Sequence, residues 1–478
     1  IAQDGLSKPV QDECSPLVSV AETSEPENHA VDNSGEREFG GAVGVSAMMI
    51  GFPLLMYYMW IGATFYDGHI PTREPGQSWS AFFNHLFDLC YEHAFPHVKA
   101  WTIYWTFLIF EGACYLYMPG VYGKGKRLPS LGGKQLEYYC SAVWSWYTTI
   151  ILAIVLHVSE LFPLYTLIDE FGSIMSVAII SGFLVSIIAY FSALSRGAEH
   201  RMTGSPIYDF FMGAELNPRL FTWLDFKMFF EVRIPWYILF LTTLGACARQ
   251  YENYGYVSGE AWFLLMAHFL YANACSKGEE LIITSWDMYF ENGASCLSSG
   301  TSLVYLSPTA TALFTSPTTI LPNITGQPGL LCFCSSLTCS STGSGTQQTA
   351  KRTCLERKKE VSLSTERLSL NYRGRLLRIL CSSRQEQAIR SCAMVFSEYV
   401  LTLLITDGKA RKIHYTCDLF FALSWGAITG FHSPFPWFYP FFFSCMIVHR
   451  AIRDIQKCRA KYGDAWMEYE KRVPWLFI

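Results

Sequence analysis

GGAVGVSAMMIGFPLLMYYMWIGATFY, residues 40–66, contains no charged side chain. A helix needs about 20 mostly apolar residues to cross the hydrocarbon core of a bilayer, and this stretch is long enough. Further blocks of the same kind follow: Ala100–Met118 with Glu111 inside it, Tyr139–Leu161, Gly172–Leu194, Phe229–Cys247 and the shorter Ala261–Cys275. Leu419–Val448 is apolar and aromatic but broken by Pro434, Pro436 and Pro440, which predicts two half-spans or a tight hairpin. The pattern predicts an all-α fold, a polytopic transmembrane helix bundle.

Composition agrees. Only 16% of the 478 residues are charged, against about 25% in a soluble chain, and mean hydropathy is +0.19. The net charge of −4 offers no basic surface for nucleic acid. The 16 cysteines include no CxxC pair, so reduced thiols are expected and neither a disulfide framework nor a metal site. Residues 1–39 carry nine acids and two bases, which reads as a disordered acidic cytosolic tail. Position 1 is Ile, not Met, so residues upstream of it are expected.

Orientation follows Lys and Arg in short loops. Lys124, Lys126, Arg127 and Lys134 follow the second span; Arg196, Arg201 and Arg219 follow the fourth; Arg450, Arg453, Lys457, Arg459 and Lys461 lie near the C-terminus. All fall on one side if the first span starts in the cytosol.

Two polar stretches interrupt the apolar pattern. GSPIYDFFMGAELNPRL, residues 204–220, reads by itself as a structural loop in which Asn217-Pro218 turns the chain and Arg219 faces lipid headgroups. MIVHRAIRDIQKCRAKYGDAWMEY, residues 446–469, reads by itself as a basic amphipathic surface helix with Arg450, Asp454 and Cys458 on one face. Together they resemble the two hallmark motifs of the sterol reductase family. Gly204, Tyr208, Asp209, Gly213, Leu216, Asn217, Pro218 and Arg219 match the first; His449, Arg450, Arg453, Asp454, Cys458, Lys461, Tyr462 and Gly463 match the second. The resemblance covers about 40–292 and 408–478. HFLYANACSKGEE and GKARKIHYTCDLFFALSWG look most like the fungal C-24(28) branch of that family.

The resemblance implies about 8–10 spans, an endoplasmic-reticulum membrane location, a sterol substrate among membrane lipid, and NADPH as cofactor. Oligomeric state is not implied. The reaction implied is reduction of the C-24(28) side-chain double bond; sterol C-14 reduction is the nearest enzymatic alternative. A non-catalytic scaffold, as in the lamin-binding receptor, is the alternative from another class, although the short acidic region 1–39 argues against it. No GxGxxG follows a strand, so NADPH is not expected on a Rossmann domain. Carried over by motif, the cofactor residues are Arg411, His414, Tyr415, Arg450, Asp454, Cys458, Lys461, Tyr462 and Tyr469. An isolated alkene must be protonated before it accepts hydride, so an acid is needed in a dry pocket. Tyr271 is the expected donor, polarised by Asp454. Asp209, Asn217, Glu279, Glu280 and Asp287 are expected in the substrate pocket or in structural roles, Glu279 and Glu280 orienting the pocket or capping a helix end.

The pattern breaks after Asn292. Gly293–Ala350 holds 22 Ser or Thr and no Asp, Glu, Lys, Arg or His; Lys351–Met394 then carries eleven bases against four acids. Neither part supplies the phosphate-clamping Lys and Arg that the resemblance calls for, and Asp407 stands where it expects an aromatic. We therefore divide the chain into 1–39, 40–292, an anomalous 293–407, and 408–478. A shifted reading frame with retained intron sequence near 393–407 explains the sharp edges; a natural Ser/Thr-rich insertion and a diverged paralogue are the rivals. The chain as written would then be inactive.

Overall fold

The computed structural model describes residues 37, 39–128, 132–285, 288, 411, 413–431 and 433–477. Every predicted span contains a helix: α1 (Gly41–Phe65), α3 (Val98–Tyr117), α4 (Ala142–Val158), α6 (Phe171–Arg196), α8 (Ile234–Tyr254) and α9 (Gly259–Lys277). Between them lie α2 (Trp79–His93), α5 (Thr166–Asp169), α7 (Pro206–Met212) and α10 (Glu279–Ile282). The C-terminal part holds α11 (Ile413–Ile428), α12 (Phe435–Tyr462) and α13 (Asp464–Arg472). Among the described residues, α1 and α6 are long and apolar enough to cross a membrane.

Leu419–Val448 resolves as a hairpin. Pro434 and Pro436 sit at the start of α12, where a missing N–H is harmless, and Trp437 Nε1 closes the turn by donating to the Gly430 carbonyl at 2.8 Å. Pro440 is absorbed inside α12, which runs on through the second polar motif as one helix. The third span starts later than expected, because Tyr139 and Cys140 belong to a strand. Lys124, Lys126, Arg127 and Lys134 lie not on a loop but on the antiparallel strands β1 (Val121–Leu128) and β2 (Lys134–Cys140). The fifth span opens with a π-helical turn, Met228–Arg233.

The first polar motif is not a lipid-facing loop. Gly213 has φ 88° and ψ 148°, a combination open essentially to glycine alone. It ends α7 and sends the chain into the two-residue strands β3 (Arg219–Leu220) and β4 (Leu224–Asp225). Arg219 is engaged within the protein: it pairs with Asp225 at 3.3 Å, donates to the Glu137 carbonyl at 2.8 Å and lies over the Tyr138 ring. The motif thus rivets the α6–α8 connection to the β1–β2 hairpin.

The helix ends sort onto two faces. At one, Ser433 Oγ in the α11–α12 turn donates to the Gly68 carbonyl just past α1, and Ser176 in the first turns of α6 donates to Ala94 at the end of α2. At the other, Phe39 before α1 lies against Phe211 of α7 and His449 of α12. The bundle between is held by the α8–α9 pair, on which α4 packs from one side and α11–α12 from the other.

On the first face, Glu170 at the start of α6 accepts from Lys99 Nζ and pairs with His97 Nε2, both at 2.8 Å. Burial pulls its carboxyl upward, but Lys99 and His97 outweigh that and hold it below its usual value. A depressed carboxyl contributes stability above its unfolded pKa and loses it as pH falls through the folded one. Hydrogen exchange in the first turn of α6 is therefore expected to rise below about pH 4. Lys99→Gln should shift that onset upward; an onset that does not move would reject the ion pair as its origin.

Candidate functional site

Tyr271 sits on α9 inside a box of aromatic rings. Its ring centroid is 4.4 Å from Trp236 of α8, and 5.6 Å and 6.4 Å from Phe421 and Trp425 of α11. Trp425 stacks on Tyr439 of α12 at 5.1 Å. Helices α8, α9 and α11 therefore meet around one half-buried tyrosine, with α12 behind Trp425.

The residue one turn before Tyr271 is His268, which the sequence reading did not single out. It is buried, and its Nδ1 lies 2.7 Å from Thr243 Oγ1. The Thr243 hydroxyl proton goes to the Leu239 carbonyl at 2.7 Å, so we assign the Nδ1–H tautomer and leave Nε2 an acceptor. Neither that Nε2 nor the Nε1–H of neighbouring Trp425, whose ring is 4.5 Å away, has a partner among the described residues. The signal was a lone imidazole at membrane depth.

The second group of predicted residues lines the α11–α12 hairpin. Tyr415 of α11 donates to Asp454 Oδ2 of α12 at 3.2 Å, joining two carried-over positions. Exposed Arg450 and half-buried Cys458 lie one turn either side of Asp454. Tyr462 and Tyr469 flank Trp466 at 6.4 Å and 5.2 Å. Arg411 is engaged inside the protein: it pairs with Glu470, which also takes Arg459, and donates to the Pro474 carbonyl. His414 and Lys461 lie on α11 and α12, but their side chains are outside the described set, as is Asp287 altogether. The set suits a nicotinamide dinucleotide in kind: the Arg450 guanidinium for phosphate, tyrosine faces for a ring, and Asp454 for a ribose or amide.

Of the residues expected in the pocket or in structural roles, Glu279 and Asp209 make structural contacts. Glu279 is buried and accepts from Arg233 Nε at 2.9 Å, from Arg233 Nη2 at 2.7 Å, and from the backbone N–H of Ala142 at 2.8 Å. It thus caps the first turn of α4 from across the fold. Arg233 is fully buried; it also donates to Ser141 and Ser145 and lies 4.3 Å over the Tyr115 ring. Sequence reasoning missed Arg233, which stands at the edge of an apolar block with its partner 46 positions away. Glu111 accepts from Thr149 Oγ1 in the same interior. Glu280 is exposed. Asp209 accepts from the Thr203 backbone and hydroxyl at 2.9 Å and 2.7 Å and so fixes the turn before α7. Asn217 is buried with both amide atoms unpartnered among the described residues.

Comparison with known proteins draws these parts together. The chain is 57% identical over 458 residues to the Delta(24(24(1)))-sterol reductase erg4A of Aspergillus fumigatus, covering 94% of this chain and 93% of that one. It is 54% identical over 467 residues to the Delta(24(24(1)))-sterol reductase of Gibberella zeae, covering 94% and 73%. At 28% identity over 480 residues it is similar to the Delta(14)-sterol reductase of Methylotuvimicrobium alcaliphilum, covering 96% and 99%. The shared pattern occupies residues 33–321 and 388–478, and the unmatched stretch between falls inside 293–407. The chain belongs to the Ergosterol biosynthesis ERG4/ERG24 family.

Proposed function

We propose that this protein reduces the C-24(28) double bond of a sterol side chain with NADPH, as a multi-pass protein of the endoplasmic-reticulum membrane with its C-terminus in the cytosol. The observation that carries the reading is the likeness to two fungal proteins named for that reduction, at more than half identity over nearly the whole chain. NADPH, when bound, would supply the hydride. The residues of the chain do the rest. Tyr271 donates its hydroxyl proton to one alkene carbon and regains one from water. Trp236, Phe421 and Trp425 exclude water from the cation so formed. Asp454, fixed by Tyr415, polarises the donor and orients the cofactor. Arg450, Cys458, Lys461, Tyr462 and Tyr469 form the rest of the cofactor face, with His414; Arg411 contributes by anchoring the C-terminal end through Glu470.

Membranes carrying this chain, in a host without its own such enzyme, are expected to convert a 24(28)-methylene sterol in an NADPH-dependent manner and to leave a C-14 unsaturated sterol unchanged. Loss of the C-14 bond instead would favour the second reading, which the bacterial relative keeps open. Conversion of neither would mean that 293–407 disables the chain. Sequencing the transcript across codons 285–415 is expected to show an uninterrupted apolar continuation after Asp287; RNA that encodes 293–407 as written would reject that origin.

A further inference from the structure

Helix α2 has three sides, each of a different chemistry. Successive residues turn by about 100°. Phe82, Leu86, Leu89 and Cys90 occupy one arc of about 100°; Phe82 is buried, and Leu86, Leu89 and Cys90 pack on Met56, Trp60 and Ile61 of α1 and Phe171 and Met175 of α6. The next arc, about 120° wide, holds Trp79, Phe83, Phe87 and Tyr91. They are 62%, 59%, 69% and 63% exposed, far more than aromatic rings facing water alone would favour. The remaining arc holds Asn84, His85, Asp88 and Glu92, all exposed.

The position of α2 explains that division. It lies where α1 ends and α6 begins, and among the described residues those are the two helices long and apolar enough to cross a membrane. The contact is intimate. A Cβ on Gly172 in the first turn of α6 would come within 2.5 Å of Trp60 and 3.0 Å of the His93 carbonyl, so the helix end sits directly on the span ends. Leu54 and Phe65 of α1 are exposed as well, and an aromatic arc beside the end of a span suits the level where hydrocarbon gives way to headgroups. Trp and Tyr favour that level because one end of the ring is apolar and the other polar. Trp79 and Tyr91 stand at the two ends of the arc, with Arg73 held over the Trp79 ring at 5.1 Å.

We propose that α2 lies in the plane of the membrane interface on the face opposite the α12–α13 end, its aromatic arc immersed among lipids and its acidic arc in water. The occupant is the lipid boundary of the protein's own membrane. The helix carries no Lys or Arg and presents Asp88 and Glu92 to water, so its attraction is apolar, and zwitterionic phosphatidylcholine suits it better than anionic lipid. This inference rests on the membrane placement of α1 and α6.

The test uses the full chain in phosphatidylcholine vesicles, with a fluorescent amino acid incorporated in place of Phe87, of Glu92, or of Leu54 on α1. Lipids carrying a nitroxide near the headgroup are expected to quench position 87 at least threefold more than position 92, and aqueous iodide to do the reverse. Lipids with the nitroxide deep in the chain should quench position 54 most. Adding 1 M salt should leave position 87 unchanged. Iodide quenching of position 87 as strong as that of 92 would overturn the proposal, and so would protection of 87 from both quenchers, which would put another protein on the arc. An unquenched position 54 would reject the membrane placement itself.

Discussion

Replacing Glu279 by Ala is expected to destabilise the fold by about 3–5 kcal/mol, the range for removing one partner of a buried ion pair. Two losses combine. The Arg233 guanidinium, with no exposed surface, would keep its charge and lose two of its donor contacts; the Ala142 N–H at the start of α4 would lose its acceptor. Ser141 and Ser145 remain as acceptors, but neither carries charge. A domain's whole stability is about 5–15 kcal/mol, so the variant should accumulate poorly and unfold at lower temperature in detergent. The double variant Arg233→Met, Glu279→Leu fills the same space without charge and should recover more than half of the loss. The measurement is thermal unfolding of the three purified proteins. A Glu279→Ala protein within 1 kcal/mol of wild type would show that the pair carries no structural weight.

The second large effect falls on activity and spares stability. Tyr271→Phe keeps the ring among Trp236, Phe421 and Trp425 and removes only the hydroxyl. If that hydroxyl delivers the proton, turnover of the methylene sterol should fall by about 10²–10⁴-fold, the usual contribution of a positioned acid. Sterol binding should change little, so the loss should appear in kcat with KM nearly constant. Asp454→Asn is expected to lower kcat as well, and Tyr415→Phe less so, because it removes only one hydrogen bond to Asp454. Wild-type turnover by the Tyr271→Phe protein would move the donor elsewhere. His268, one turn away with an unpartnered nitrogen, would be the first residue to examine.

Long elements of this fold were legible in the sequence because they depend on local information. An uncharged run such as 40–66 has few alternatives to a helix, and the proline cluster at 434–440 announced a turn that the structure places at 429–434. The miss at α2 has a physical reason: its apolar residues are interleaved with Asn84, His85, Asp88 and Glu92, so it lacks the long uncharged run by which the spans were found. The β1–β2 hairpin was hidden by its lysines, although Gly132 and Gly133, both at positive φ, mark its turn. At the candidate site, Tyr271 and Asp454 were expected from the family resemblance, and the structure adds the rings around Tyr271 and the Tyr415 bond to Asp454. The Arg233–Glu279 pair was not, since it joins residues that only the folded chain brings together.

The C-terminal clasp sets an order of assembly. The Arg411 backbone N–H donates to the Trp475 carbonyl at 2.8 Å, and Glu470 holds both Arg411 and Arg459. Trp475 comes 64 positions after Arg411 and far beyond α9 in the chain. While α1 through α9 can pack as they are made, the end of the hairpin that carries Tyr415 and Asp454 can be closed only once Trp475 has been made. A chain stalled or truncated just before Trp475 would hold a packed bundle with an unfastened end, so that truncation should lower yield less than it lowers the fraction of molecules able to turn over.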